Sequence, residues 1–222
     1  MYSKLQYISQ GSTAKEQLEN IENTLDAGCE WIQLRFKNAG ENEFYAVAQQ
    51  IKNLCESHNA TFIINDNVEL AKNIDADGVH LGLQDMSVTM ARSILGDKKI
   101  IGGTANTLND VVTRIHEKCD YIGLGPLRFT ETKTNLSTVL GIDGYKNILN
   151  EVLKDKVPIP IYAIGGIAID DIASLMNTGV YGVAVSGAIT NKTNKKELLK
   201  TFYSLLCSGI IPIPPFAEAG SC

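Results

Sequence analysis

Cysteine pairs at metal-binding spacing are missing from this 222-residue sequence. Its five cysteines lie far apart, and none belongs to a C-x-x-C motif or a cysteine–histidine cluster. This excludes the usual zinc and dithiol redox motifs. We therefore expect reduced and mostly buried thiols at the five positions, which are Cys29, Cys55, Cys119, Cys207 and Cys222.

Basic blocks and long apolar runs are missing as well. The 20 Lys and Arg residues are interspersed among 25 Asp and Glu residues, for a net charge of −5, so nucleic acid is not an expected partner. No apolar run reaches the roughly 18 residues that a membrane-spanning helix needs. The N-terminal "MYSKLQYISQGST" lacks the apolar segment of a secretory signal, so we expect a cytoplasmic location.

Eight short β-rich runs alternate with amphipathic segments along the chain. Most of the runs are continuously apolar, as in parallel strands buried on both faces. They span residues 5–9, 31–37, 61–66, 78–82, 100–104, 121–125, 161–166 and 182–187. Helices are predicted over 14–27, 42–57, 68–73, 88–95, 108–118, 145–153, 169–177 and 195–206. The alternation predicts an α/β fold, a single (β/α)8 TIM barrel, with a doubly wound open sheet as the alternative.

The C-terminal residues depart from this alternation. Residues 207–222 contain three of the six prolines, which disfavour both a helix and a central strand. We predict a catalytic barrel domain over residues 1–206. Residues 207–222 are predicted to form a short Pro-rich C-terminal tail that is extended or partly disordered.

Polar residues alternate with apolar ones at the end of the second run. Gln33, Arg35 and Lys37 would point to one face, away from Leu34 and Phe36. Active sites of TIM barrels lie at the C-terminal ends of the strands. Two cations and an amide there favour an anionic substrate, although a polar strand end paired with neighbouring acids gives the same pattern.

Carboxylates follow the next two runs. Asn65 and Asp66 end the third run, and Gln84 and Asp85 follow the fourth. Two carboxylates on adjacent strands, completed by phosphate oxygens of a substrate, are a common way to hold Mg²⁺. The alternative is that each aspartate caps a helix or forms a turn.

Glycine-rich strand ends indicate a phosphorylated ligand. The fifth run ends in Gly102-Gly103-Thr104, whose hydroxyl can bond a phosphate, although an ordinary glycine-rich end would look the same. The last two runs end in Gly165-Gly166-Ile167 and Val185-Ser186-Gly187. Phosphate sites of TIM barrels are often built by these last two loops.

The loop after the sixth run, from Pro126 to Gly141, is far longer than the usual 2–6 residues. It contains Thr130, Thr132 and Lys133, and we interpret it as a substrate-covering loop. Among the three histidines, His80 alone lies within a strand. It is either a hydrogen-bonded interior residue or a general acid/base.

Six motifs in order resemble the thiamine phosphate synthase family over residues 5–206. They are "QLRFK", "IINDNVELA", "DGVHLGLQD", "YIGLGPLRFTETK", "AIGGI" and "GVAVSGAI". The resemblance implies a Mg²⁺-dependent transferase of thiamine biosynthesis. It would join 4-amino-2-methyl-5-hydroxymethylpyrimidine diphosphate to 4-methyl-5-(2-hydroxyethyl)thiazole phosphate, or to the carboxylated form, giving thiamine phosphate and pyrophosphate.

The resemblance also implies roles for individual residues. The pyrimidine diphosphate would be bound by the 33–37 segment (Gln33, Leu34, Arg35, Phe36, Lys37), with Asn65, Thr104 and Lys133. The metal ligands would be Asp66 and Asp85. The thiazole phosphate would contact Thr130, Glu131, Thr132, Gly166, Val185 and Ser186. Arg35, Lys37 and Lys133 are the implied catalytic residues, acting on the leaving pyrophosphate.

The loop "PLRFTETK" departs from the commoner family pattern "PIFPT-x-TK", and the Pro-rich tail lies outside the pattern. Three alternatives remain. One is a thiazole tautomerase of the same barrel family, for which His80 would be the proton-transfer residue. The second is a non-catalytic barrel that binds a phosphorylated ligand. The third is a generic phosphosugar isomerase barrel, since the fold alone determines no chemistry.

Overall fold

Eight parallel strands close into a barrel in chain order, as seen in a computed structural model that describes residues 2–37, 39–129, 138–154 and 159–208. The strands are β1 (Leu5–Ile8), β2 (Trp31–Leu34), β3 (Thr61–Asn65), β4 (Gly78–Leu81), β5 (Ile100–Ala105), β6 (Tyr121–Leu124), β7 (Ile161–Ile164) and β8 (Gly182–Val185). Pairing of β1 with β8 completes the ring. The TIM-barrel prediction is confirmed, and the doubly wound sheet is excluded.

Helices follow the strands and form the outer layer. They are α1 (Ala14–Asp26), α2 (Glu41–Ser57), α3 (Val68–Asn73), α4 (Val88–Leu95), α5 (Leu108–His116), α6 (Gly141–Lys154), α7 (Ile172–Met176), α8 (Gly187–Thr190) and α9 (Lys195–Ser208). A 3₁₀ turn (Ile169–Asp171) precedes α7. The sequence did not predict the one-turn helix α8, and α9 continues two residues past the domain boundary placed at 206. Residues 209–222, most of the predicted tail, lie outside the described residues.

Within the described part of the chain, no helix is both long and apolar enough to cross a membrane.

Side-chain caps fix where several helices begin after the strand ends. The Thr13 hydroxyl accepts from the Glu16 amide, and Glu16 reaches back in a capping box. Thr107 and Asp110 form the same box at α5. A cap of this kind stabilises a helix by about 1 kcal/mol. The caps therefore define short βα loops, which hold the polar strand ends in place.

An aromatic cluster fills the N-terminal half of the barrel interior. Trp31 packs against Tyr121 and Tyr162, with ring centroids 5.0 and 5.2 Å apart and edge-to-face geometry. Ile63 completes this buried cluster. Trp31 and Tyr121 are the first residues of β2 and β6, so the cluster lies near the strand starts. Because this cluster fills the barrel near the strand starts, we expect a ligand to approach from the opposite, C-terminal end.

The alternate residues of each strand form a second core between the sheet and the helices. Leu34, Ile64, Val79 and Ile122, for example, are fully buried in this outer core. The alternation fixes which strand residues face inward, because a shift of one residue would reverse every side chain. The core thus determines which polar groups reach the barrel mouth.

Candidate active site

The segment after β2 presents its polar side chains on the inner face of the barrel. Gln33 follows the inward-facing Trp31 by two residues, and Arg35 and Lys37 continue the alternation. Leu34 and Phe36 are buried in the outer core. A ligand at the mouth would therefore meet those two residues only through their backbone.

Hydrogen bonds to two buried residues, Ser9 and Gln17, hold this segment in place. The Ser9 hydroxyl accepts from the Arg35 amide at 2.9 Å, and the Ser9 amide donates to the Gln33 carbonyl at 2.9 Å. The side-chain amide nitrogen of Gln17 donates to the backbone carbonyl of Arg35 at 3.2 Å. Ser9 and Gln17 are almost fully buried. Neither residue is predictable from the sequence, since neither lies in a recognisable motif.

Charged groups from three loops meet beside this segment. Lys37 Nζ lies 3.4 Å from Asp66 Oδ2, and Asp66 is in hydrogen-bonding contact with the Asp85 carboxyl. Burial raises the pKa of Asp66, the Asp85 carboxyl raises it further, and Lys37 lowers it. Burial lowers the pKa of Arg35, and the Asp66 charge acts in the opposite direction. The predicted anion-binding and metal-binding residues of β2, β3 and the β4 loop are therefore brought together.

The two aspartates are not helix caps. Asn67 caps α3 by accepting from the Leu70 amide at 2.8 Å, and Ser87 caps α4. Asp66 has a positive φ of 67°, a conformation that Asp and Asn tolerate better than most residues. The backbone turns there after β3 ends. The helix-cap alternative is excluded for both residues.

Asp85 also shapes the loop after β4. Its Oδ2 accepts from the Gly82 amide at 2.6 Å, which closes a turn. A turn of this kind was the second alternative for Asp85, and it coexists with the contact to Asp66. The Asp85 carboxyl therefore closes the turn in its own loop and also contacts the Asp66 carboxyl across the mouth.

The ends of β7 and β8 form a second part of the mouth. Gly165 and Gly166 both have positive φ, and a Cβ at Gly165 would overlap the Pro126 ring. Ser186 is half-buried directly after β8, whereas the Val185 side chain lies in the outer core. The small residues thus leave backbone groups accessible to a ligand, as expected for a phosphate site.

Arg128 connects this second part to the long loop after β6. Its guanidinium donates to the Gly166 carbonyl at 2.7 Å and pairs with both oxygens of Asp171. The loop extends from Gly125 to Leu140, between β6 and α6. The predicted Thr130, Glu131, Thr132 and Lys133 lie outside the described residues.

A buried polar chain crosses the barrel below the mouth. The Gln6 amide nitrogen lies 3.2 Å from the Tyr121 hydroxyl, which lies 3.0 Å from His80 Nδ1. His80 Nε2 lies 3.0 Å from the Thr104 hydroxyl. The prediction that His80 is a hydrogen-bonded interior residue is confirmed. No motif in the sequence points to Gln6, which looks like one polar residue in an ordinary strand.

Arg114 supports the ends of β4 and β5 from outside the barrel. It is 6% exposed and donates to the backbone carbonyls of Thr104 and Gly82, at 3.0 and 2.9 Å. Glu117 pairs with the same guanidinium at 2.7 Å. A buried arginine on an amphipathic helix is typical of such an anchor. The helical pattern of α5 alone does not show that Arg114 is buried.

An open groove of about 620 Å³ lies elsewhere, along α7 and the start of α9. Its lining includes Ala173, Lys192 and Leu198, and it contains none of the predicted site residues. The cations, carboxylates and glycine-rich strand ends converge instead at the barrel mouth, and none of them lines this groove.

The mouth suits an anionic ligand accompanied by a divalent cation. Arg35 and Lys37 supply positive charge, and the Asp66–Asp85 pair places two carboxylates in contact. Like charges so close repel unless a proton or a cation lies between them. Oxygen ligands from two carboxylates suit Mg²⁺, which usually takes its other ligands from water and phosphate. The donor set thus fits the implied metal.

Comparisons with known proteins agree with this chemistry. A family model described as thiamine monophosphate synthase matches residues 5–189. A thiamine-phosphate synthase from Flavobacterium johnsoniae is 54% identical over 95% of this chain and 100% of its own length. One from Bacteroides fragilis is 47% identical over 90% of this chain and 98% of its own. The structure of a thiamine phosphate pyrophosphorylase from Pyrococcus furiosus superimposes with a TM-score of 0.81 at 29% identity, covering 93% of this chain and 96% of that one.

Proposed function

The chain belongs to the thiamine monophosphate synthase family, and from this premise we propose how its barrel mouth carries out the reaction. It is a transferase that makes thiamine phosphate. The substrates are 4-amino-2-methyl-5-hydroxymethylpyrimidine diphosphate and 4-methyl-5-(2-hydroxyethyl)thiazole phosphate or its carboxylated form. Pyrophosphate leaves as the two ring systems are joined, and the carboxylated form would also release its carboxyl group as carbon dioxide.

One observation carries the placement of the diphosphate. Lys37, Asp66 and Asp85 meet at the ends of β2, β3 and β4, with Arg35 beside them. The negative charge of a diphosphate complements the lysine and the arginine. The positive charge of its metal ion complements the two aspartates. Gln33 and Asn65, at the ends of the same two strands, complete the pyrimidine diphosphate site, with the backbone of Leu34 and Phe36.

Mg²⁺ is the proposed cofactor, and Asp66 and Asp85 would hold it. When bound, it would offset the charge that develops on the departing pyrophosphate. Lys37 Nζ lies 3.4 Å from Asp66 Oδ2. We expect the ion pair with Asp66 to hold the Lys37 ammonium in position before the substrate binds. Lys37 would then exchange Asp66 for a diphosphate oxygen.

The thiazole phosphate is placed at the ends of β7 and β8. Gly166 and Ser186 offer backbone amides and a hydroxyl there, and Val185 can take part only through its backbone. Thr130, Glu131 and Thr132 of the long loop would close over this phosphate. Two phosphate anchors on opposite sides of one mouth would align the thiazole nitrogen with the pyrimidine methylene carbon.

Charge stabilisation is the main work assigned to the protein in this mechanism. The aminopyrimidine ring can stabilise a methylene cation, so the C–O bond to the diphosphate breaks first. The thiazole nitrogen then forms the new C–N bond. Arg35, Lys37 and Lys133 stabilise the pyrophosphate as it leaves. The nitrogen is already nucleophilic, so no protein nucleophile is needed.

The proposal is tested by measuring pyrophosphate release from the purified protein, with each substrate or Mg²⁺ omitted in turn. Release that requires all three components, with thiamine phosphate as product, is the expected result. Release without the thiazole phosphate would indicate simple hydrolysis. No release, with tight ligand binding, would instead support a non-catalytic barrel.

Two aspartate variants sharpen this test. Asp85→Asn removes one proposed metal ligand and should lower kcat/KM by at least about 100-fold. Asp75→Asn is the matched control, because Asp75 also pairs with a lysine, Lys99, but precedes β4 at the opposite end of the barrel. Equal loss in both variants would contradict the placement of the site at the mouth.

Lys133 is tested by its effect on the chemical step. Lys133→Ala should lower kcat more than it raises the KM for the thiazole phosphate, because the lysine is assigned to the leaving group. An unchanged kcat would remove Lys133 from this role.

The tautomerase alternative needs a proton-transfer residue at the mouth. His80 was the candidate, but both of its ring nitrogens are hydrogen-bonded inside the barrel, to Tyr121 and Thr104. The side chain is 7% exposed. Its placement therefore favours the synthase, and interconversion of the thiazole alone by the purified protein would contradict this conclusion.

A further inference from the structure

The polar chain from Gln6 to Thr104 has a definite direction of hydrogen donation. The amide nitrogen of Gln6 can only donate, so the Tyr121 oxygen is its acceptor. The Tyr121 hydroxyl has one proton, and that proton is available for His80 Nδ1 at 3.0 Å. In its neutral form, the His80 ring then carries its proton on Nε2, which lies 3.0 Å from the Thr104 hydroxyl. Thr104 is therefore an acceptor on its inner side.

The surroundings of Tyr121 reinforce this direction. The amide nitrogen of Gln33 is buried and makes no hydrogen bond of normal geometry, yet it lies close enough to the Tyr121 hydroxyl to lower the pKa of that group. Burial has the larger effect and raises the pKa of Tyr121. The phenol thus stays protonated at neutral pH, with two amide donors near its oxygen. Its own proton is directed to His80.

The barrel provides space for this chain by using glycine on the neighbouring strands. A Cβ at Gly102 would overlap the Tyr121 ring, and a Cβ at Gly123 would lie 3.1 Å from His80 Cε1. All four members are nearly inaccessible, from 1% exposed for Gln6 to 7% for His80. A fully hydrogen-bonded chain of this kind fixes its members in one arrangement.

We propose that His80 is a positioning residue that turns the Thr104 hydroxyl proton toward the diphosphate. Because Nε2–H of His80 donates to Thr104, the Thr104 proton points away from the ring, toward the barrel mouth. Among the described residues, Thr104 Oγ1 has no other hydrogen-bond partner. The acceptor is an anionic oxygen of the pyrimidine diphosphate, so this role rests on the function proposed above. Tyr121 acts one step further back, by setting the His80 tautomer.

The first experiment compares the affinity of Mg²⁺-pyrophosphate for the wild type, Thr104→Val, His80→Leu and the double variant, by calorimetry. Each single variant should weaken binding by about tenfold, since one hydrogen bond to a charged group is lost. The double variant should bind no more weakly than Thr104→Val alone. Additive losses would overturn the proposal, because His80 would then act independently of Thr104.

A second pair of variants covers the case in which His80→Leu fails to fold. Tyr121→Phe removes the hydroxyl that sets the His80 tautomer, so pyrophosphate affinity and KM for the pyrimidine diphosphate should worsen several-fold. Tyr162→Phe is the matched control, because its hydroxyl donates to the Ser3 carbonyl, outside the chain from Gln6 to Thr104. Equal effects of the two variants would overturn the proposal.

Wild-type turnover separates this inference from the proposed function. If the wild type makes no thiamine phosphate, the proposed function itself fails. If it does, and Tyr121→Phe binds Mg²⁺-pyrophosphate as tightly as the wild type, only the role of His80 fails. Thr104→Ser keeps the hydroxyl and should retain affinity within about twofold, which ties the effect to the hydroxyl proton and not to side-chain volume.

Discussion

Arg128 and Asp171 form a two-pronged ion pair that joins the loop after β6 to the 3₁₀ turn after β7. The two N···O distances are 2.7 and 2.6 Å. The Asp171 carboxylate also accepts from the Ala168 amide at 2.7 Å, and Arg128 donates to the Gly166 carbonyl. Arg128 belongs to the part of the loop that departs from the commoner family pattern. The ion pair therefore holds the loop after β7 in place through an arginine that the commoner family pattern does not have.

Loss of Arg128 should weaken binding of the thiazole phosphate. Arg128→Gln removes the ion pair and the bond that orients the Gly166–Ile167 peptide. We expect KM for the thiazole phosphate to rise about threefold to tenfold with kcat nearly unchanged, because one positioning hydrogen bond is lost. Steady-state kinetics with the pyrimidine diphosphate saturating would measure this. Lys146→Gln, on an exposed pair with Asp143, is the control and should leave KM unchanged.

The same pair should contribute to stability in a pH-dependent way. Arg128 lowers the pKa of Asp171, as does the Ala168 amide to a smaller extent, whereas burial opposes them. A depressed pKa in the folded state means that the contribution is present above the unfolded pKa of about 3.9 and is lost as pH falls through the folded value. Asp171→Asn keeps an acceptor for Ala168 but removes the charge.

Denaturant unfolding of the wild type and Asp171→Asn would measure this contribution. We expect a difference of about 0.5–1 kcal/mol at pH 7, since Arg128 is half exposed. The difference should persist to about pH 5 and vanish near pH 3. A difference that stays constant down to pH 3 would show that the charge of Asp171 does not stabilise the fold.

Removing the charge of Asp66 from the Asp66–Asp85 pair should stabilise the fold while it impairs ligand binding. Burial and Asp85 raise the pKa of Asp66, so the ionised form of Asp66 costs stability in the folded state at neutral pH. Asp66→Asn removes that cost and suits the positive φ of 67°. Without metal, we expect Tm to rise by about 2 °C, corresponding to less than 1 kcal/mol in a domain of this size.

The same variant should lose its response to ligand. Mg²⁺ with pyrophosphate should raise the Tm of the wild type through binding to the folded state, but should barely change that of Asp66→Asn. Scanning calorimetry with and without Mg²⁺-pyrophosphate measures both effects. A lower Tm of the metal-free variant would mean that the Lys37 ion pair outweighs the repulsion by Asp85.

The strands and the alternation after β2 were predictable because they depend on local patterns. Continuous apolar runs marked the eight strands, and the two-residue period of Gln33, Arg35 and Lys37 assigned their side chains to one face. Asp66 and Asp85 were predicted as a pair because parallel strand ends meet at one edge. In each case the relevant neighbours lie close in sequence or follow from the barrel order.

Contacts that depend on side-chain reach across the barrel were not predictable. The sequence predicted that His80 lies inside, but not that Tyr121, on a strand two places away, sets its tautomer. Arg128 and Asp171 are 43 residues apart, and neither belongs to a periodic pattern. The one-turn α8 is too short to show helical periodicity. These features follow only from the closed geometry of the barrel.

The buried cysteines should resist thiol reagents as long as the barrel remains closed. Burial raises the pKa of Cys29 to about 11 and that of Cys119 to about 12, and it also raises the pKa of Cys55. The thiolate is the reactive form, and the three side chains are 8% exposed or less. Cys207 is less buried than these three thiols, which form no disulfide.

The Cys207→Ser/Cys222→Ser double variant isolates these three thiols for a colorimetric thiol assay. At pH 8 the native variant should react over hours or not at all, and the denatured variant should release three equivalents at once. Reaction under native conditions should accelerate with denaturant in step with global unfolding, because the thiols lie between the strands and the helices. Rapid reaction of one equivalent without denaturant would instead show local opening of a helix from the barrel. The equivalent could then be assigned to Cys29, Cys55 or Cys119 by peptide mapping.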